Sequence, residues 1–246
     1  MVLPLADPVN LDDAESQMRV WVDQEFFTSP FFVSLQAGAY SPAQIRYFAI
    51  QYGYYSRNFP RVLGAAISAM APAGVWWIPL ADNLWDEAGR GIPGKSHEEL
   101  YKTFLFSTDP QLTLDAQGLP PEPMSPVVGQ ATESFIEFFR AAATPLQAMA
   151  AVGLGSEFFA GEVMGRIARY LEHPAFNKGN LLDLTFWKVH AETDEPRHYQ
   201  LCRSILQEFR APGELRTMLE IGKNIAASEL AMYTGLHQEM ETIRSL

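Results

Sequence analysis

The stretch FWKVHAETDEPRHYQL, residues 186–201, carries two of the chain's five histidines with an aspartate midway between them. His190, Asp194 and His198 stand at intervals of four, and residues three and four apart are neighbours on a helix surface. The spacing permits two readings: metal ligands projecting to one side of a helix, or a solvated polar face. What the rest of the chain brings to that side decides between them.

Helix-start signals recur along the sequence. SPAQ (41–44) and TPLQ (144–147) place Ser or Thr at the N-cap, Pro at the first helical position and Gln at the third. SHEE (96–99) fits the Ser-x-x-Glu capping box, and NLLD (180–183) sets Asn before an apolar run with an acid three residues later. In FIEFFRAA and LRTMLEIGKNIAASELAMY the large apolar residues recur at three and four, and no segment alternates with period two. The fold class is therefore all-α. Helices are expected near 12–28, 42–70, 73–88, 97–106, 126–142, 145–172, 181–209 and 213–243, with a Pro- and Gly-rich surface loop at 107–125. The other connections are short, which predicts one domain over 1–246, a bundle of seven to eight helices.

Composition narrows the function. With 48% hydrophobic and 19% charged residues the chain is ordinary for a globular protein. A net charge of -11 without a long basic run argues against a nucleic-acid partner. The single Cys202 excludes an internal disulfide and a thiolate metal site. VLGAAISAMAPAGVWWIPLA (62–81) is uncharged over the nominal length of a membrane span, but Pro72 near its middle and its many alanines read as one helix ending and another beginning. The N-terminal MVLPLADPVN lacks the basic flank and apolar core of a signal peptide. The expectation is a cytoplasmic protein without a membrane partner.

Ligands to join the 190–198 helix must come from other helices, and two places offer them. In DNLWDEAGRGIPGKSHEELY (82–101) Glu87 ends one helix, and His97 opens the next after Ser96. The turn through Gly89, Gly91 and Gly94 can fold His97 back beside Glu87; otherwise this is a polar surface loop. In AVGLGSEFFAGEVMGRIA (151–168) Glu157 shares its helix face with Gly153, Gly161 and Gly165. Each helical glycine costs about 1 kcal/mol, which close helix packing or room for a ligand must offset. A carboxylate buried on that face needs a counter-charge. Two Glu, one Asp and three His form an oxygen- and imidazole-rich set without sulfur, suited to iron or manganese in a bundle.

These blocks resemble the haem-oxygenase-like diiron oxidases and oxygenases. NLWDEAGRG…SHEELY, GLGSEFF and HAETDEPRH follow the family's order, QYGYYSRNFPRVLGAA (51–66) resembles its preceding helix, and the likeness spans about residues 40 to 205. It implies a haem-oxygenase-like bundle holding two Fe(II) ions through Glu87, His97, Glu157, His190, Asp194 and His198, with dioxygen as co-substrate. One departure matters. Many relatives place two residues between the last Asp and His, whereas here there are three, with Pro196 among them. Offsets of four and eight drift about 80° round a regular helix, an offset of seven only about 20°. A one-residue π-bulge at the proline would bring His198 into line; without it, Glu192 or Glu195 would ligate instead. Glu195 and His198 form a Glu-x-x-His pair, but no second pair exists for a ferritin-like site. His173, His237 and Cys202 are assigned to structure or surface.

The resemblance further implies oxidation of a small carboxylate. The reading favours a free aliphatic amino acid undergoing C–H cleavage in a biosynthetic pathway, ahead of alkene-forming decarboxylation of a medium-chain fatty acid or amine N-oxygenation. An acidic chain needs a local cation to hold a carboxylate, so Arg57, Arg61, Arg166 and Arg203 are the substrate-binding candidates, with Gly161 and Gly165 making room. A silent ligand-binding bundle and a haem-degrading enzyme with one axial histidine are the readings from other classes. A homodimer, common in this fold, is required by no feature of the sequence.

Overall fold

The computed structural model describes residues 7–71, 74–140, 143–179 and 181–243. Among these there is no strand, and nine helices follow one another. They are α1 (Leu11–Trp21, continued by a π turn Val22–Phe26), α2 (Pro30–Gln36), α3 (Pro42–Ala69), α4 (Ile78–Glu87), α5 (His97–Thr108) and α6 (Pro126–Phe138). Then come α7 (Pro145–Met149, a π turn Ala150–Glu157, then Phe158–Leu171), α8 (Thr185–Val189, a π turn His190–Asp194, then Glu195–Leu206) and α9 (Pro212–Glu241). No described helix is long and apolar enough to cross a membrane.

The capping signals act as the sequence implies. Ser41 and Thr144 close capping boxes with Gln44 and Gln147, and Ser96 accepts from the Glu99 amide. The differences lie where no such signal sits. α2 is a ninth helix: Ser29–Pro30 starts it, but seven residues are too few for a period to show, and burial of Phe31, Phe32 and Leu35 sustains it. α4 begins at Ile78 rather than 73, and α8 at Thr185 rather than 181, where Asp183 accepts the Thr185 amide at 3.0 Å. α8 also ends at Leu206, short of 209. α6 ends at Phe138, short of 142, and the expected roles of Pro72 and Asn180 fall outside the described residues.

Two devices position the inner helices. Trp187, fully buried, stacks on Phe48 of α3 with centroids 6.0 Å apart and meets Phe104 of α5 edge-on, so the start of α8 is anchored between those helices. Glycines then let α7 approach its neighbours. A Cβ on Gly153 would lie 2.6 Å from Cys202 Cβ of α8, and one on Gly155 2.8 Å from Ile225 Cβ of α9. Close packing is therefore what offsets the helical glycines there. Gly153→Ala is expected to lower stability by about 1–3 kcal/mol through overpacking. Gly64→Ala in α3, whose Cβ meets nothing within 4 Å, should raise it by up to about 1 kcal/mol. Denaturant unfolding of the two variants checks the contrast.

Candidate metal centre

α4 ends in a turn that reverses the chain. Gly89, Arg90 and Gly91 all lie in the left-handed region, at φ 65°, 55° and 73°. A Cβ on Gly89 would fall 2.3 Å from the Lys95 backbone carbon, so glycine is required there. Arg90 holds this unfavourable conformation while its Nε donates to Asp86 Oδ1 at 2.6 Å. The reversal sets His97 Nδ1 3.1 Å from Glu87 Oε1 and 3.0 Å from His190 Nε2 of α8. Glu87, His97 and His190 form the first group of donors, all within 4.8 Å of one another.

The other nitrogen of each histidine already has a partner. His190 Nδ1 lies 2.7 Å from the Phe186 carbonyl oxygen, which only accepts, so the proton sits on Nδ1 and the Nε2 lone pair faces the group. His97 Nε2 faces Asp194 Oδ2 at 3.6 Å.

The second group is Glu157 of α7 with Glu195 and His198 of α8, again within 4.8 Å. His198 Nδ1 lies 3.7 Å from Glu157 Oε2 and 3.6 Å from Glu195 Oε2, while its Nε2 lies 3.1 Å from Asp86 Oδ2. Asp86 also accepts from Arg197 Nη1 at 2.5 Å. Asn83 Nδ2 donates to Glu157 Oε1 at 2.6 Å, and Glu157 Oε2 is buried without a hydrogen-bond partner. Carboxylates and imidazoles that bind metals are held from behind in this manner.

Burial and like charge show in the protonation of the metal-free groups. Burial, and then the Glu157 carboxylate, push Glu195 up to about 7. Burial disfavours charge on His198, but the Glu157 and Glu195 carboxylates outweigh it and raise the imidazole to about 11. Glu157 is held below its usual range, against its burial, by Glu195, His198 and Asn83. His190, buried beside His97, is lowered. A proton on His198 thus occupies the space between two carboxylates that a cation would fill. An unpaired buried oxygen and two triads of oxygen and nitrogen donors without sulfur fit two iron-like ions.

A cleft opens on both groups, lined by Glu87 and His190 of the first and Glu157 and Glu195 of the second. Its remaining walls are Tyr52, Tyr55, Ser56 and Phe59 of α3, Ser156, Ala160 and Met164 of α7, Phe186 of α8 and Glu229 of α9. Burial, followed by the Glu195 charge, raises Glu229 to about 8.

The structure gathers Glu87, His97, Glu157, His190 and His198 into the two groups, and the sixth place among the candidate donors falls to Glu195 rather than Asp194. Asp194 stands behind His97, and Glu195 takes the inward place. The π turn is the cause. The Glu195 amide bonds the His190 carbonyl, five residues back, so the turn holds an extra residue and Glu195 advances onto the face of His198. The widening precedes Pro196, which has no amide hydrogen to lose.

None of the four expected arginines lines this cleft, while Arg203 and Gly161 line a second, more open one that reaches Glu157. Arg57 donates to the Gly118 and Gln117 carbonyls, Arg61 pairs with Glu133, Arg166 with Glu162 and over the Phe27 ring, and Arg203 with Glu15. The acids of this acidic chain hold them at the surface. Gly161 and Gly165 do not open the cleft; a Cβ on Gly161 would lie 3.3 Å from the Ala191 carbonyl oxygen, which the π turn pushes towards α7. Asn83, Asp86 and Glu229 escaped notice in the sequence. Asn83 and Asp86 had a weak signal, as polar residues one turn and one residue before Glu87; Glu229 had none.

Glu195→Ala is expected to reduce tightly bound divalent metal from two equivalents to one, whereas Asp194→Asn keeps two and weakens the first by about tenfold. Metal titration followed by elemental analysis separates these outcomes. Because His198 is raised and holds its proton at neutral pH, metal must displace that proton. Affinity at the second group should rise with pH between 6 and 8, by about tenfold per unit for each proton released. Competition titrations across that range check the sign.

The chain is similar to known proteins in fold and in family. No curated protein matches it by sequence. A Cadd-like protein of unknown function from Nostoc punctiforme has the same fold, in structures at 2.00 and 1.35 Å with TM-scores of 0.71 and 0.67. The first is 17% identical and covers 93% of this chain and 97% of its own; the second is 16% identical and covers 95% and 98%. A domain of unknown function with a heme oxygenase-like fold from Shewanella denitrificans aligns at TM-score 0.69 and 13% identity, over 95% of this chain and 94% of its own. A family model of iron-containing redox enzymes matches residues 46–221, the span that holds both donor groups. The chain is a haem-oxygenase-like bundle and belongs to the iron-containing redox enzyme family.

Proposed function

We propose that the protein is a dioxygen-dependent oxidase with one Fe(II) held by Glu87, His97 and His190 and a second by Glu157, Glu195 and His198. The observation that carries this is the cleft: a single partly apolar space is lined by members of both donor groups at once. When bound, the two ions supply electrons to dioxygen and oxidising power towards a C–H bond in the cleft. The chain's own residues do the rest. Phe186 and Asp86 hold protons on His190 Nδ1 and His198 Nε2, leaving the inner nitrogens as donors. Phe59, Met164 and Phe186 give the cleft apolar walls that exclude water.

The favoured substrate is a free aliphatic amino acid, with Tyr55 and Ser56 offering uncharged hydroxyl donors for its carboxylate. A fatty acid has less support, since no Lys or Arg lines the cleft to meet an isolated carboxylate. A silent binding bundle would have no use for a buried Glu157 oxygen without a partner.

Anaerobic Fe(II) titration of metal-free protein, then oxygen exposure with a panel of amino and fatty acids, tests the reading. Two equivalents bound and oxygen uptake promoted by one substrate, with its oxidised product found by mass spectrometry, is the expected result. One equivalent or none, without substrate-dependent uptake, overturns it.

A further inference from the structure

Glu229 is the carboxylate of the cleft that the two donor groups do not use. It comes from α9, on a different helix from every candidate ligand, and belongs to neither cluster. Each other acid of the centre has a partner. Glu87 meets His97, Glu157 meets Asn83 and His198, Glu195 meets His198, and Asp194 meets His97. Two divalent ions would balance those four carboxylates. Glu229 makes no hydrogen bond or ion pair among the described residues, and no Lys or Arg lines the space it shares with Tyr52, Tyr55 and Phe59.

From that juxtaposition we infer that Glu229 receives the cationic end of the substrate, an ammonium or guanidinium group, against aromatic walls. The chemistry is complementary in three ways. An anion placed there would oppose ionisation of Glu229, and a neutral group would leave a partly buried carboxyl without a counter-charge. A cation supplies that counter-charge through charge-assisted hydrogen bonds, and the faces of Tyr52, Tyr55 and Phe59 attract it further. The inference rests on the two-iron reading for what the cleft is for, but not for what it binds. Glu229 then sets orientation: with the amino end held at α9, the aliphatic part extends along the cleft towards the donor groups.

The test is calorimetric titration of the full chain, loaded anaerobically with Fe(II) and with iron counted per chain. The probes are hexylammonium, hexylguanidinium and hexanoate. At least one cation should bind the wild type, and hexanoate should bind about tenfold or more weakly. In Glu229→Gln the cation should lose about tenfold or more while two irons remain. Glu229→Asp should keep the preference for cations, and it decides the matter if the Gln variant fails to fold. Failure of both cations to bind the wild type, tighter binding of hexanoate, or unchanged cation affinity in Glu229→Gln overturns the inference. So does loss of an iron in that variant, which would make Glu229 a ligand. Glu229-dependent cation binding by a chain that takes up no iron would sustain this inference while sinking the two-iron reading.

Discussion

Glu157 is 2% exposed, and one of its oxygens has no hydrogen-bond partner. Burying an ionised carboxylate in an apolar bundle is costly unless charge and hydrogen bonds surround it. Much of the surrounding structure answers that cost. Asn83 takes the other oxygen, His198 brings a proton, and Asp86 holds His198 from behind while anchored by Arg90 and Arg197. Arg90 in turn sits in the left-handed turn that returns the chain to His97. The two donor groups are thus joined through α4, and a change in one reaches the other by a few hydrogen bonds.

The same constraint sets the protonation of the second group. With His198 protonated between Glu157 and Glu195, and Glu195 itself raised to about 7, protons neutralise a site that would otherwise repel itself. A divalent ion bound between Glu157 and Glu195 would take the place of that proton. Remote aromatic contacts, above all Trp187 against Phe48, keep α8 from yielding to whatever repulsion remains.

Much of this was legible in the sequence because it rests on local chemistry. The Ser-Pro and Thr-Pro caps, the apolar period and the glycine turn between Glu87 and His97 each act over a few residues, and each predicted its element. The inward residue of α8 was not legible. Asp194 and Glu195 are adjacent acids, and which one faces the centre depends on how many residues one turn contains, a property of the packed helix rather than of the motif. The partners of the arginines were not legible for a related reason. A cation expected near an anionic substrate found acids at the surface instead, and only three-dimensional proximity shows Arg203 claimed by Glu15 and Arg57 by loop carbonyls. Glu229 lies thirty-four residues downstream of Pro196's neighbour Glu195 in a helix of ordinary pattern, and nothing local distinguishes it from a solvent-facing glutamate.

The widened turn of α8 also bears on how such a centre tolerates insertion. In an unbroken α-helix one added residue would rotate everything beyond it by about 100°, carrying Tyr199 and Cys202 out of the core along with His198. Here the surplus is absorbed inside a single loop of backbone, and the segments before and after it keep their registers. Taking one residue out while closing the turn to ordinary pitch would leave a histidine, a carboxylate and a histidine at offsets of four and seven, the spacing that a straight helix aligns. The two forms are alternative solutions to one geometric problem, separated by a single codon, with Gly161 providing the hollow into which the longer one swells.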